Sequence, residues 1–188
     1  MTSRARVPLT RRRVLEAALA LVDRDGLDAL SMRRLGAELG VEAMSIYHHI
    51  PGKEAILDGL VELVTGDLGR GEVGARSSSA GLSSVGREEQ LRHGVRALRR
   101  IGLDHPEVFP LVVSRAEPRA LAPVEATPAA LRALGIDDVT ARAGSRALVA
   151  YAIGFTLGRA RHASTVDDDR AFEQGLDVIF AGMRSLAC

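Results

Sequence analysis

The chain has 188 residues, with 46% apolar, only 3% aromatic and no Trp, so its core must rest on Leu, Val, Ala and Ile. That length allows one or two domains with a real core. The net charge of +1 hides an asymmetry, nine Lys and Arg against six Asp and Glu up to Lys53 and sixteen against eighteen beyond it. A basic N-terminal part suits phosphate contact. Cys188 is the one cysteine, which excludes an internal disulfide and fits a reducing cytoplasm. Residues 14–22 are amphipathic and run into Asp23, Arg24 and Asp25, unlike an export signal. No stretch approaches the roughly 20 apolar residues of a membrane span.

Residues 1–9 form a short arm with Arg4, Arg6 and Pro8, open to reading as a disordered tail or as a DNA-contacting arm. Thr10 is placed to cap a first helix. Val14, Ala17, Ala18, Leu21 and Val22 carry its apolar stripe until Gly26 breaks it. Ser31 is a good N-cap for a second helix, on which Met32, Leu35 and Leu39 recur at helical spacing. Gly40 can take the left-handed conformation that ends it. Glu42 reopens a third helix, with Ile46 and Ile50 four apart on one side. Two short helices joined by a Gly-containing turn make a helix-turn-helix, whose second helix enters the major groove. Pro51-Gly52 ends this unit. Lys53 opens a fourth helix that buries Ile56, Leu57, Leu60, Val61, Leu63 and Val64 on one broad face.

Residues 69–86 are rich in Gly and Ser and read as a loop between two domains, 1–52 and 53–188. A helix from about Arg87 to Asp104 follows, with Leu91, Val95, Leu98 and Gly102 on one face. Five prolines from Pro106 to Pro128 keep the next helices short or kinked, and residues 119–134 are expected to hold one, closed by Gly135. The last two helices run from about Val139 to His162 and from about Asp168 to Leu186. Their stripes are Leu148, Tyr151, Ala152 and Phe155, and Phe172, Leu176, Ile179, Phe180 and Met183. Asp167, Asp168 and Asp169 suit the positive end of the last helix dipole, so metal binding is not needed to explain them.

Arg33-Arg34-Leu35-Gly36, Leu39-Gly40-Val41, Ser45-Ile46-Tyr47-His48-His49 and Lys53-Glu54 resemble the DNA-binding domain of the tetracycline-repressor (TetR) family. The resemblance continues more loosely in Gly154-Phe155-Thr156-Leu157-Gly158 and in Phe172, Gly175, Leu176, Ile179 and Gly182. It implies an all-α chain, with a three-helix DNA-binding domain and a C-terminal helical domain for ligand binding and dimerisation. The implied partners are double-stranded operator DNA, a second copy of the chain and a small-molecule effector.

By the same resemblance, Arg33 reaches a guanine edge, which its guanidinium fork matches, and Lys53 meets a phosphate. Tyr47 and His49 meet backbone phosphates too. Ser31, Ser45 and His48 complete the set, with packing and contact both open for His48. The tetracycline repressor carries a Gln where this chain has Ala43, so Ala43 and Met44 favour apolar contact with thymine methyl groups. It also carries a magnesium-ligating His where Leu111 stands, which argues against a metal-chelated ligand.

Leu98, Phe109, Val112, Ser114, Arg115, Tyr151 and Phe155 are candidate effector contacts, or ordinary core. Gly154, Gly158, Phe172, Leu176 and Ile179 are candidate dimer contacts. There is no Gly-rich phosphate loop, Cys-x-x-Cys or His-Glu-x-x-His, so no catalytic residue, metal or cofactor is expected. The alternative is a helical small-molecule-binding module that does not regulate DNA.

Overall fold

The computed structural model describes residues 8–70, 83–115, 127–159 and 166–186. Among the described residues it is all helix, with no strand. The helices are α1 (Arg11–Asp25), α2 (Met32–Leu39), α3 (Ala43–Tyr47), α4 (Lys53–Arg70), α5 (Ser84–Asp104), α6 (Phe109–Arg115), α7 (Thr127–Arg132), α8 (Asp138–Arg159) and α9 (Val166–Leu186). A single 3-10 turn at Leu27–Ala29 lies between α1 and α2.

Thr10 does cap α1, its hydroxyl accepting from the Arg13 amide at 3.2 Å, and Gly26 ends it at φ 83°. The first unit closes around Val14, Leu15, Ala18, Leu21 and Val22 of α1, Leu35 of α2, Ile46 of α3, Ile50, and Ile56 and Leu60 of α4. Leu15 is in this core and Ala17 only half-buried, because α4 leaves a notch at Gly59. A Cβ there would lie 2.5 Å from the Leu15 side chain. Arg11 reaches Glu62 on the same helix at 3.0 Å. The first turns of α4 therefore belong with α1, and the two compact units divide between Leu63 and Val64, inside α4 and beyond the expected division at Lys53.

The Gly- and Ser-rich stretch is shorter than expected at both ends, since α4 runs to Arg70 and α5 starts at Ser84. The Ser83 hydroxyl accepts from the Gly86 amide at 3.3 Å and so nucleates α5 early. Residues 71–82 lie outside the described residues, as do residues 116–126, which include the first half of the helix expected over 119–134. Of that helix α7 is described, and Gly135 follows it at φ 86°.

In the second unit α8 packs against α5, α7 and α9. Leu91, Val95, Leu98, Phe109, Val112, Leu131, Leu148, Ala152, Phe172, Leu176, Phe180 and Met183 fill its core. An antiparallel ladder of ion pairs ties α5 to α9: Arg92 to Asp177 at 2.8 Å, Arg96 to Glu173 at 2.7 Å and Arg99 to Asp169 at 2.7 Å. The spacings match, three basic residues rising in steps of four and three along α5 against three acidic ones falling in steps of four along α9. Hydrogen bonding from Arg96 holds the Glu173 carboxyl below the usual carboxylate range. Arg92 and Arg99 also lie over the rings of Phe180 and Phe172, at 4.7 and 4.8 Å.

Candidate nucleic-acid interface

The helix-turn-helix is built by three local devices. The Ser31 hydroxyl accepts from the Arg34 amide at 3.2 Å and starts α2. Gly40 ends it at φ 65°, ψ 34°. Its amide donates to the Ala37 carbonyl at 3.2 Å while the Val41 amide donates to the Gly36 carbonyl at 2.9 Å. This pair of bonds is the Schellman arrangement. The third device is a close approach at Gly36, where a Cβ would lie 2.8 Å from the Val41 carbonyl oxygen and 3.3 Å from the Ala43 nitrogen. Only a residue without a side chain lets α3 lie so near α2. Leu35, Ile46 and Ile50 then anchor both helices in the core.

What remains outside is the candidate surface. Met44 is 65% exposed and Tyr47 44% exposed, both large for open positions on so short a helix. His48, His49, Arg33 and Lys53 are exposed, and Ala43 and Ser45 half-buried. Ser31 and Arg33 come together on an open concavity of about 490 Å³ at the start of α2, lined also by Asp28, Ala29, Arg34 and Ala37.

The cations here fall into two groups. Arg24, on α1, holds Glu38 with two contacts of 3.1 Å and Asp25 at 3.1 Å. Arg34 donates to Asp25 at 2.6 Å. Hydrogen bonding from Arg24 keeps both carboxyls below their usual range, and the two carboxylates in turn raise Arg24. These pairs are exposed and individually weak, but they neutralise Arg24 and Arg34 and tie the end of α1 to α2. Arg33 and Lys53 have no such carboxylate among the described residues. This network joins residues up to fourteen apart and left no pattern in the sequence; the tight seat of Gly36 left only the glycine itself.

In the second unit the other candidates separate. Phe109 lies against Gly102 beside Thr156, with Leu98 and Val112 buried nearby in sequence on the same helices. Tyr151, Phe155 and Phe172 form one aromatic cluster, their ring centroids 5.3 to 5.7 Å apart. The Tyr151 hydroxyl donates to the Phe172 carbonyl at 3.1 Å, and burial raises its pKa. Ser114 and Arg115 are exposed, and the Ser114 hydroxyl donates back to the Pro110 carbonyl at 2.9 Å. Of the expected dimer contacts, Gly154 and Gly158 are exposed and Ile179 half-buried. Phe172 and Leu176 are instead consumed by the protomer's own core, at 1% and 0% exposure. Their face of α9 is the one turned to the protein, a choice that helical spacing alone does not make. The large apolar residues exposed on these two helices, among the described residues, are Val139, Leu157, Val178 and Leu186. Among the described residues no group of three or more His, Cys, Asp or Glu comes together as a metal site, and no helix is long and apolar enough to cross a membrane.

An all-helical chain with a capped, glycine-seated helix-turn-helix at its N-terminal end defines a helix-turn-helix protein. Residues 14–60 match the model of the bacterial regulatory proteins of the tetR family. A transcriptional regulator of the helix-turn-helix type from Saccharopolyspora erythraea is 34% identical over 154 residues, 81% of this chain. The chain spans 61% of that relative's length. The crystal structure of ligand-free ActR from Streptomyces coelicolor superposes with a TM-score of 0.72 at 28% identity, over 98% of each chain. BioQ in complex with its double-stranded DNA operator does so with a TM-score of 0.69 at 26% identity, over 95% of this chain and 99% of that one. The chain belongs to the tetR family of bacterial regulatory proteins.

Proposed function

We propose that the chain is a transcriptional regulator that binds a pseudo-palindromic operator as a homodimer and is released by a small molecule held in its second unit. The observation that carries this is the sorting of charges on the helix-turn-helix. Arg24 and Arg34 are neutralised by Glu38 and Asp25, while Arg33 and Lys53 stand exposed, as do Met44, Tyr47, His48 and His49. Arg33 reads a guanine from the major groove and Lys53 holds a phosphate. Lys53 stands at the start of α4, where the helix dipole disfavours a cation and a phosphate would compensate it. The operator complex of BioQ supports the DNA reading. For the effector, Leu98, Phe109, Val112, Tyr151 and Phe155 supply apolar and aromatic surface to an apolar or aromatic compound. The crystal structure of ActR in complex with actinorhodin supports ligand control in a similar chain.

The test is an operator titration at several salt concentrations with wild type, Arg33→Ala and Lys53→Ala. Arg33→Ala should lose about 1–3 kcal/mol and relax preference at one base pair of each half-site. Lys53→Ala should weaken all sequences alike and lower the salt slope by about 1 per contact. Uniform loss from Arg33→Ala together with altered base preference from Lys53→Ala would reverse the assigned roles.

A further inference from the structure

Glu42 is the N-cap residue of the recognition helix, but its side chain does not cap it. Its carbonyl accepts the first bond of α3, from the Ser45 amide at 2.9 Å, so it is the N-cap residue. Its backbone is extended there and its side chain makes no capping bond. The carboxylate is exposed, with no ion-pair or hydrogen-bond partner among the described residues. Four other carboxylates of this unit are engaged: Glu16 by Arg12, Asp25 and Glu38 by Arg24, and Glu62 by Arg11.

A carboxylate without a counter-charge on a surface that approaches DNA opposes binding to every sequence alike, because the phosphates are anionic. Only hydrogen-bond donors on the DNA offset that cost, and the major groove displays them at cytosine N4 and adenine N6. A recognition helix meets base edges with its N-terminal residues. At this end of the helix Ala43 and Met44 offer no polar group and Ser45 is half-buried, which leaves Glu42 as the exposed polar side chain. A monodentate acceptor suits cytosine, whose groove edge is a single amine donor, better than adenine, whose N7 would face the carboxylate.

We infer that Glu42 is a specificity-determining residue that accepts a hydrogen bond from the exocyclic amine of a cytosine in each half-site. The inference rests on the operator reading above. The experiment selects duplexes from a random pool with the full-length wild-type chain. The selected duplex, its single-base variants and an unrelated duplex are then titrated with wild type, Glu42→Ala and Glu42→Gln. Glu42→Ala should lose at least about fivefold of the preference at one base pair per half-site, the lower end for a base-edge contact. It should also bind the unrelated duplex more tightly than wild type does. Glu42→Gln should move the preference at that pair from cytosine towards adenine, whose N6 and N7 an amide matches. The thermal midpoint of Glu42→Ala should equal that of wild type, since no capping bond is lost. An equal change in affinity for every duplex would overturn the inference and leave Glu42 a surface charge. A uniform loss accompanied by a lower midpoint would overturn it in favour of a structural role. A wild type that enriches no sequence would instead overturn the operator reading, and this inference with it.

Discussion

Replacing Gly36 by Ala adds one methyl group where α2 meets the turn and α3. That carbon would lie 2.8 Å from the Val41 carbonyl oxygen, 3.3 Å from the Ala43 nitrogen and 3.5 Å from the Ala43 Cα. All three are backbone atoms, so no side chain can swing aside, and α3 must retreat by several tenths of an ångström. Two terms of opposite sign compete. Alanine gains about 0.5–1 kcal/mol over glycine inside a helix. Overpacking a tight contact costs about 1–3 kcal/mol, and the rigid obstacle favours the upper half of that range. The net expectation is a loss of about 1–2 kcal/mol, which lowers the thermal midpoint by roughly 2–8 °C for a chain of this size. Operator affinity should fall further than stability explains, because the retreat displaces the recognition helix. Gly40→Ala is the control. Nothing lies within 4 Å of its Cβ, but its φ of 65° is strained for alanine, at about 1–2 kcal/mol. That variant should lose stability yet keep operator affinity once folded. Thermal unfolding and operator titration of both variants decide the matter. A Gly36→Ala chain as stable as wild type and equally tight on operator would refute the close approach.

Ser31→Ala removes the cap of α2 and should cost about 1 kcal/mol in urea unfolding. The carboxyls of Asp25 and Glu38 are held below their usual values by Arg24, so their contribution to stability is present above the unfolded values of 3.8 and 4.5. It is lost as pH falls below these values through the folded ones. The urea midpoint of the first unit should therefore be flat from about pH 5 to 8 and fall more steeply below about pH 4 in wild type than in Arg24→Met. Phe172→Ala empties a buried site and should cost about 3–5 kcal/mol. Val178→Asp, at a position 72% exposed, should leave protomer stability within about 0.5 kcal/mol while sedimentation shifts from dimer towards monomer. Phe155→Ala should blunt release by effector more than it weakens operator binding; equal loss of both would mean a purely structural residue.

Local signals in the sequence carried the helix-turn-helix. Ser31 and Thr10 cap through their own hydroxyls, and Gly40 turns through its own backbone, so each is legible without knowledge of a distant residue. Leu15 was not legible in this way, because the notch that receives it is made by Gly59, forty-four positions along. The start of α5 was obscured by composition: Ser83 sits in a stretch that reads as loop, yet its hydroxyl is the cap. Phe172 and Leu176 show a further limit. Their spacing identifies an apolar helical face, but a face buried in the protomer and one buried against a second copy have the same spacing. Only the packing of α8 on α9 and the ion pairs from α5 distinguish them, and they leave Val178 and Leu186 on the open side. The ion pairs of Arg24 with Glu38 and of Arg96 with Glu173 join separate helices, and no periodicity within one helix encodes them.

The sorting of cations bears on how tightly, and how selectively, such a surface holds DNA. Residues 31–53 contain only three basic side chains, Arg33, Arg34 and Lys53, and Arg34 is engaged by Asp25. If the two others act as proposed, only Lys53 spends its charge on a phosphate, while Arg33 spends its own on a base. A dimer then makes few cationic phosphate contacts from this segment, and counterion release of about 0.9 per neutralised phosphate gives a contribution of roughly −2 to the logarithmic salt slope. Arg34 adds to it only by giving up its ion pair with Asp25. The internal pairs therefore hold down the sequence-independent attraction that a more basic surface would have. Selectivity depends on the gap between specific and non-specific binding rather than on affinity alone. A surface that keeps one guanidinium for a base edge, and neutralises its neighbour, widens that gap from the non-specific side.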